Sequence, residues 1–345
     1  MTKILFIDDG IEFDSEIFRN KPLGGAEVAF VSLVEELANL GYEVVVRNNC
    51  TKEGFIKNVL WKKLNAQIYE EKFDVVVINR GDKFLNFRRD CKKRIFWIHN
   101  PASYLLKYRY LSKLFLNKAK IVFSSQYHKR TYPWWAPSKE RIVIPYGVDN
   151  SLFINKKKRS CPRPDAIFTS NAMRGLEWLL ELWVTKIHPN VKDGKLHLYT
   201  GSSTYGKYGQ KHLKTINRII KKAESFRNKG VILKSPVTRS KLFQKIKNSR
   251  VFLYKGSNDE TFCMSAAESQ VLKTPGIVKN YGSLSERIIH NKTGYICNND
   301  KEFCLNTIKL LNDNNLWMKM HKNLLITNNH HTWSEVAKKW TKIID

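Results

Sequence analysis

The sequence predicts an α/β fold of two doubly wound, Rossmann-like domains in tandem. Three observations carry this expectation. Short apolar runs of the kind that form buried parallel strands recur from Ile4-Leu5-Phe6-Ile7 to Gly276-Ile277-Val278. Helical stretches alternate with them in both halves of the chain. A charged run over 156–159, followed by Pro162 and Pro164, interrupts the alternation as an exposed linker would. At 345 residues the chain is long enough to bury two cores.

Composition narrows the class. A hydrophobic content of 42% with 12% aromatics argues against a disordered chain. No stretch approaches the roughly 20 apolar residues that a spanning helix needs. A strand begins within three residues of Met1, so no signal peptide is expected. Cys50, Cys91, Cys161, Cys263, Cys297 and Cys304 form neither a C-x-x-C pair nor a zinc-ligand pattern, which suits reduced thiols in a cytoplasmic setting. The net charge of +29 suits an anionic substrate, a nucleic acid or an acidic membrane surface. Its lysines and arginines are spread along the whole chain, so charge alone selects no partner.

The N-terminal half opens with a strand over 3–8. A loop with Pro22, Gly24 and Gly25 leads to a helix over 26–40, ended by Gly41, and then to a strand over 42–47. Glycines before a helix let a backbone approach a phosphate closely, and a simple tight turn would use them equally well. Strands follow over 73–79 and 94–98, the second ending in His99. The carboxyl end of a parallel strand is where α/β folds place ligands, and a histidine bonded to a neighbouring loop fits there too. A helix is expected over 102–118 and a strand over 121–125. The stretch HKRTYPWWAP, from His128 to Pro137, is basic and aromatic. It reads either as a membrane-docking segment or as a loop packed on the sheet. A strand and turn, RIVIPYGVDNSLF, close this half over 141–153.

The C-terminal half restarts with a strand over 166–170 and a helix opened by 171–174. A strand over 195–201, a mostly solvated helical segment over 205–229 and a strand over 231–233 follow. Ser235-Pro236-Val237 leads to a helix over 240–248, and Val251 to Tyr254 form another strand. Next comes KGSNDETFCMSAAESQVLKTP. Asn258 or Asp259 can cap a helix there, which puts Glu260 in its first turn. Glu260 and Glu268 then lie about 12 Å apart along it, the scale of a nucleoside diphosphate sugar. First-turn N–H groups near Phe262, Cys263 and Met264 would favour a diphosphate. Gly276 to Val278 is expected to be the last buried strand, and Trp317, Trp333 and Trp340 fall on helical segments of the tail.

Taken in register, these segments resemble the retaining glycosyltransferases of family four, which have the GT-B fold with the donor cleft between two domains. DETFCMSAAE carries the Glu-x7-Glu signature, and GGAEVAFVSLVEELANLGYEVVV resembles the family's opening pattern. IPYGVD has Tyr146 in place of the usual asparagine, and SNAMRGLEWLLELW resembles a subgroup with Arg-Gly-Leu. The resemblance implies an acceptor-side domain over 1–155, a nucleotide-sugar domain over 156–325, and a final helix over 326–345 crossing back to the first domain. It implies that Gly24 and Gly25 face the donor pyrophosphate, with Glu27 where the family commonly has a glutamate. His99 would reach the sugar, Glu260 would contact it, and Glu268 would hold the ribose. Arg174 would hold the pyrophosphate with Phe262, Cys263 and Met264, and the backbone at Val237 would meet the base. No arginine stands between Asp165 and Met173 to supply the usual second cation, so Lys255 is the substitute.

The implied activity is metal-independent, cofactor-free, retaining transfer from a nucleoside diphosphate sugar to a glycan, lipid-linked or other hydroxyl acceptor. The implied setting is cytoplasmic, with peripheral membrane contact through the first domain and no nucleic acid partner. The rivals are a nucleotide-sugar epimerase, a phosphorylase, and a polyanion-binding GT-B protein without catalysis. Steep salt dependence would mark the last of these.

Overall fold

The computed structural model describes residues 1–65, 70–87, 91–153, 159–201, 211–327 and 329–345. The chain divides into two compact units, Met1–Gly147 with His331–Asp345, and Val148–His330.

The first unit is built on an eight-stranded sheet. Its strands are β1 (Lys3–Ile7), β2 (Glu43–Asn48), β3 (Gly54–Ile56), β4 (Val59–Lys63), β5 (Val75–Asn79), β6 (Lys93–Trp97), β7 (Lys120–Phe123) and β8 (Glu140–Val143). They lie in the order β3-β4-β2-β1-β5-β6-β7-β8, and β3 alone runs antiparallel to its neighbour. Every residue of β5 is buried, as helices on both faces require of a central parallel strand. The helices include α1 (Ser15–Asn20), α2 (Gly25–Asn39), α3 (Tyr108–Asn117) and α4 (Gln126–Arg130). The C-terminal helix, Trp333–Ile344, starts from a capping box between Thr332 and Glu335 and drives Trp340 against Phe6 and Trp97.

The second unit holds six parallel strands: β9 (Asp165–Phe168), β10 (Lys195–Tyr199), β11 (Val231–Lys234), β12 (Val251–Tyr254), β13 (Gly276–Lys279) and β14 (Gly294–Cys297). Their order is β11-β10-β9-β12-β13-β14. Its helices include α5 (Leu176–Leu182), α6 (Leu213–Ser225), α7 (Arg239–Asn248), α8 (Met264–Val271), α9 (Asp300–Asn312) and α10 (Asn314–Ile326). In each unit the strand order reverses beside the first strand. The loops after β1 and β5, and after β9 and β12, therefore diverge and leave a crevice at the strand ends.

Several expectations need correction. The helix expected over 102–118 is a 3₁₀ turn, Ala102–Leu106, and then α3, separated by the extended Lys107. The helix opened at 171–174 begins only at Leu176, because Gly175 takes φ +85°. Gly276 to Val278 is not the last strand. Gly294 lies so close to β13 that an added Cβ would be 2.0 Å from the Gly276 carbonyl oxygen, and this approach lets β14 pair as the edge. Arg159, read as part of an exposed charged run, is half-buried, and its guanidinium donates to the carbonyls of Leu272 and Lys273. The rest of that run, 156–158, and the start of the segment over 205–229 lie outside the described residues. Neither α1 nor the β3–β4 hairpin was legible as an element. Among the described residues, no helix is long and apolar enough to cross a membrane.

Candidate functional site

The expected first-turn position of Glu260 is also corrected. β12 ends at Tyr254, Gly256 takes φ +70°, and the chain then turns so that Glu260 N–H donates to the Ser257 carbonyl. The Glu260 carbonyl accepts from Ser283 N–H at 2.9 Å. With both backbone groups committed, Glu260 cannot open a helix. α8 starts at Met264, after Cys263 in the left-handed region, with no side-chain cap from Asn258 or Asp259. The 12 Å spacing along one helix therefore does not apply to the two glutamates.

What the turn achieves is to set Glu260 beneath two partners. Its Oε1 accepts from Tyr254 Oη at 2.6 Å and from Arg174 Nη1 at 2.8 Å, and Arg174 Nη1 also reaches Ser257 Oγ at 3.2 Å. Tyr254 is buried, and burial followed by the Glu260 charge holds its hydroxyl well above the ordinary tyrosine range. It therefore donates as a neutral phenol. Arg174 and Glu260 stand on the loops after β9 and β12, the crevice of this unit.

Glu268, on α8, is 3% exposed and its Oε1 accepts from Arg239 Nη2 at the start of α7. Burial raises the Glu268 carboxyl, Arg239 opposes that, and Asp149 adds to it. Arg239 was not singled out from the sequence, and nothing in a Thr-Arg-Ser string marks it. Val237 lies two residues before it, half-buried in the loop between β11 and α7.

Phe262, Cys263 and Met264 are buried at the start of α8, and the Arg287 guanidinium lies 4.2 Å over the Phe262 ring. Burial pushes the Cys263 thiol well up, so it stays protonated rather than nucleophilic. Lys255 turns elsewhere. Its stem packs where a Gly175 side chain would be, and its Nζ lies 5.3 Å over the Trp178 ring.

The first unit carries its own polar cluster, at the ends of β1, β5 and β6. Asp8 accepts from Asn79 Nδ2 and from Arg80 Nε, the latter at 3.0 Å, while Arg80 Nη1 donates to Glu27 at 2.9 Å. Because the Asp8 carboxylate only accepts, Asn79 presents its oxygen to His99 Nε2 at 2.6 Å, which must then carry the proton. His99 Nδ1 is left to accept from Tyr146 Oη. Both ring nitrogens are thus engaged, and burial, then the Arg80 charge, holds the imidazole neutral. His99 would meet a sugar only by exchanging one of these bonds. Gly24 borders the cluster: a Cβ there would lie 2.4 Å from Glu27 Oε2. Gly25 opens α2. Asp8, Asn79 and Arg80 escaped the sequence reading because each looks like an ordinary strand-end residue. Among the described residues, no group of three or more His, Cys, Asp or Glu side chains is placed to hold a metal ion.

Two parallel doubly wound units, each with an acid–arginine cluster at its switch point, define an α/β protein of GT-B glycosyltransferase architecture. The profile of the family Glycosyl transferases group 1 matches residues 205–325, within the second unit. No curated protein matches the chain. Among solved structures, a sucrose-phosphate synthase from Thermosynechococcus elongatus superposes with TM-score 0.75 at 14% identity, covering 99% of this chain and 98% of that one. HepE from Anabaena, solved with UDP-glucose, gives TM-score 0.71 at 14% identity over 99% of both chains. A glycosyltransferase from Rickettsia africae gives 0.71 at 15%, covering 99% of this chain and 97% of its own.

Proposed function

We propose that the protein is a retaining glycosyltransferase that moves a sugar from a nucleoside diphosphate sugar to a hydroxyl acceptor. The observation that carries this reading is the Tyr254–Glu260–Arg174 arrangement at the switch point of the unit that matches the glycosyl transferases group 1 profile. Tyr254 and Arg174 both hold Oε1 of Glu260, which fixes the carboxylate for contact with a sugar hydroxyl. Arg174 is 41% exposed, and its planar guanidinium would meet the diphosphate. Together with the N-terminus of α8 it would supply the positive charge that the leaving group needs, with no metal assigned to the step. Glu268 would accept from the ribose hydroxyls, and the backbone near Val237 would face the base. Gly24 and Gly25 would admit the pyrophosphate end of the donor. Retention follows if the acceptor hydroxyl attacks from the face that the phosphate leaves.

UDP-sugars come first among donors, because the Anabaena protein was solved with UDP-glucose and an Escherichia coli neighbour with UDP-2-fluoro glucose. A glycan or lipid-linked acceptor, met by a cytoplasmic enzyme at a membrane surface, fits the first unit. Between Cys91 and Lys139 it has eleven lysines and arginines and no acid. Tyr108, Phe115, Leu116, Trp134 and Trp135 stand exposed along the same stretch.

The test is donor hydrolysis without acceptor, across UDP-, GDP- and ADP-sugars, beside Glu260→Ala. Slow release of one nucleotide, lost in the variant, is the expected result. Absence of both release and nucleotide binding overturns the proposal and favours a polyanion-binding protein.

A further inference from the structure

Glu268 lies on α8 and Arg239 on α7, and the two are joined across 29 positions by a bond from Nη2 to Oε1. Arg239 is itself braced, its guanidinium 5.1 Å over the ring of Phe243 one turn further along α7. Among the described residues no group bonds Glu268 Oε2. One carboxylate oxygen is thus anchored and the other is left to a ligand. We propose that Arg239 is a positioning residue for the nucleoside end of the donor, holding Glu268 so that Oε2 accepts from the ribose 2′-hydroxyl. This rests on the glycosyltransferase reading above.

The electrostatics support the geometry. A carboxylate this buried, with Asp149 as its other charged neighbour, takes up a proton unless a cation opposes it. Removing one partner of a buried pair leaves an uncompensated charge, which neutralises instead. A protonated Glu268 would no longer accept the hydroxyl in the same way. Arg239 therefore sets both the direction and the charge of the group that meets the ribose.

The experiment is calorimetric titration of the unaltered protein, Arg239→Met and Arg239→Lys at pH 6.0 and 8.5. The probes are UDP, GDP and ADP, each beside its 2′-deoxy counterpart. The terminal phosphate titrates near pH 6 in both members of a pair and cancels in their ratio. In the unaltered protein, loss of the 2′-hydroxyl is expected to weaken binding of the preferred nucleotide about tenfold at both pH values. In Arg239→Met that penalty should vanish at pH 6.0, whereas Arg239→Lys, which keeps the charge, should retain it. A penalty unchanged in Arg239→Met, or lost equally in Arg239→Lys, overturns the proposal. So does an unaltered protein that binds a nucleotide without a 2′-hydroxyl penalty, and in that case nucleotide binding still stands. Binding of none of the three by the unaltered protein would instead remove the glycosyltransferase reading itself.

Discussion

Arg174 Nη1 lies 2.8 Å from Glu260 Oε1, although 86 positions separate the two residues. The contact exists because β9 and β12 are neighbours in the sheet, pairing Ala166 with Val251 and Ile167 with Phe252. Loops that leave adjacent strand ends bring their side chains to one crevice.

If Arg174 serves both the glutamate and the leaving group, Arg174→Ala should lower kcat/KM of donor turnover by about 10²–10³-fold. Arg174→Lys keeps a charge but not the planar fork, so it should recover only part of that loss. Steady-state kinetics with the preferred donor checks this, with Tyr254→Phe as a milder companion that removes one of the two bonds to Glu260 Oε1.

Gly282 sits at φ +56°, where an added Cβ would lie 2.5 Å from the Glu260 carbonyl oxygen. Gly282→Ala should destabilise the second unit by about 1–3 kcal/mol through backbone strain alone. The same push acts on Glu260, so activity of the remaining folded protein should also fall. Urea unfolding and single-turnover assays on one preparation separate the two effects.

Acid should unfold the first unit partly through its buried histidines. Burial lowers His128 to about 4, with the Asn100 carbonyl opposing, and it lowers His99 well below the ordinary range. The unfolded chain binds more protons than the folded one below about pH 6.5, so this stability is present above that pH and lost as pH falls. For His128 the loss by pH 4 is about 3 kcal/mol. His128→Gln should be less stable at pH 7.5 yet show a shallower decline between pH 6.5 and 4 in urea titrations.

Docking of the first unit on a bilayer predicts sedimentation with vesicles containing anionic lipid and release as salt rises. Trp134→Ser with Trp135→Ser should weaken that binding at least several-fold while leaving folding intact, since both indoles are largely exposed. Equal binding by parent and double variant would remove the aromatic contribution.

Arg239 shows where a motif stops being informative. The eight-residue offset from Glu260 to Glu268 was visible in the chain, but their separation along one helix was not real, because bonds to Ser257 and Ser283 hold Glu260 in a turn. Tyr146 is the converse case. Its departure from an asparagine pattern was plain in the sequence, and its purpose appears only when its hydroxyl meets His99 from 47 positions away.

The alternation of strands and helices and the segments that carry the glutamates are legible in the chain itself. Each of these is written in periodic burial or in turn residues, which act over a few positions. Strand order, the late start of α8, and the partners Arg174, Arg239 and Asn79 were decided by the fold. A hydrogen bond across 20 to 86 positions depends on which strands lie side by side, and no local pattern of apolar residues encodes that neighbourhood.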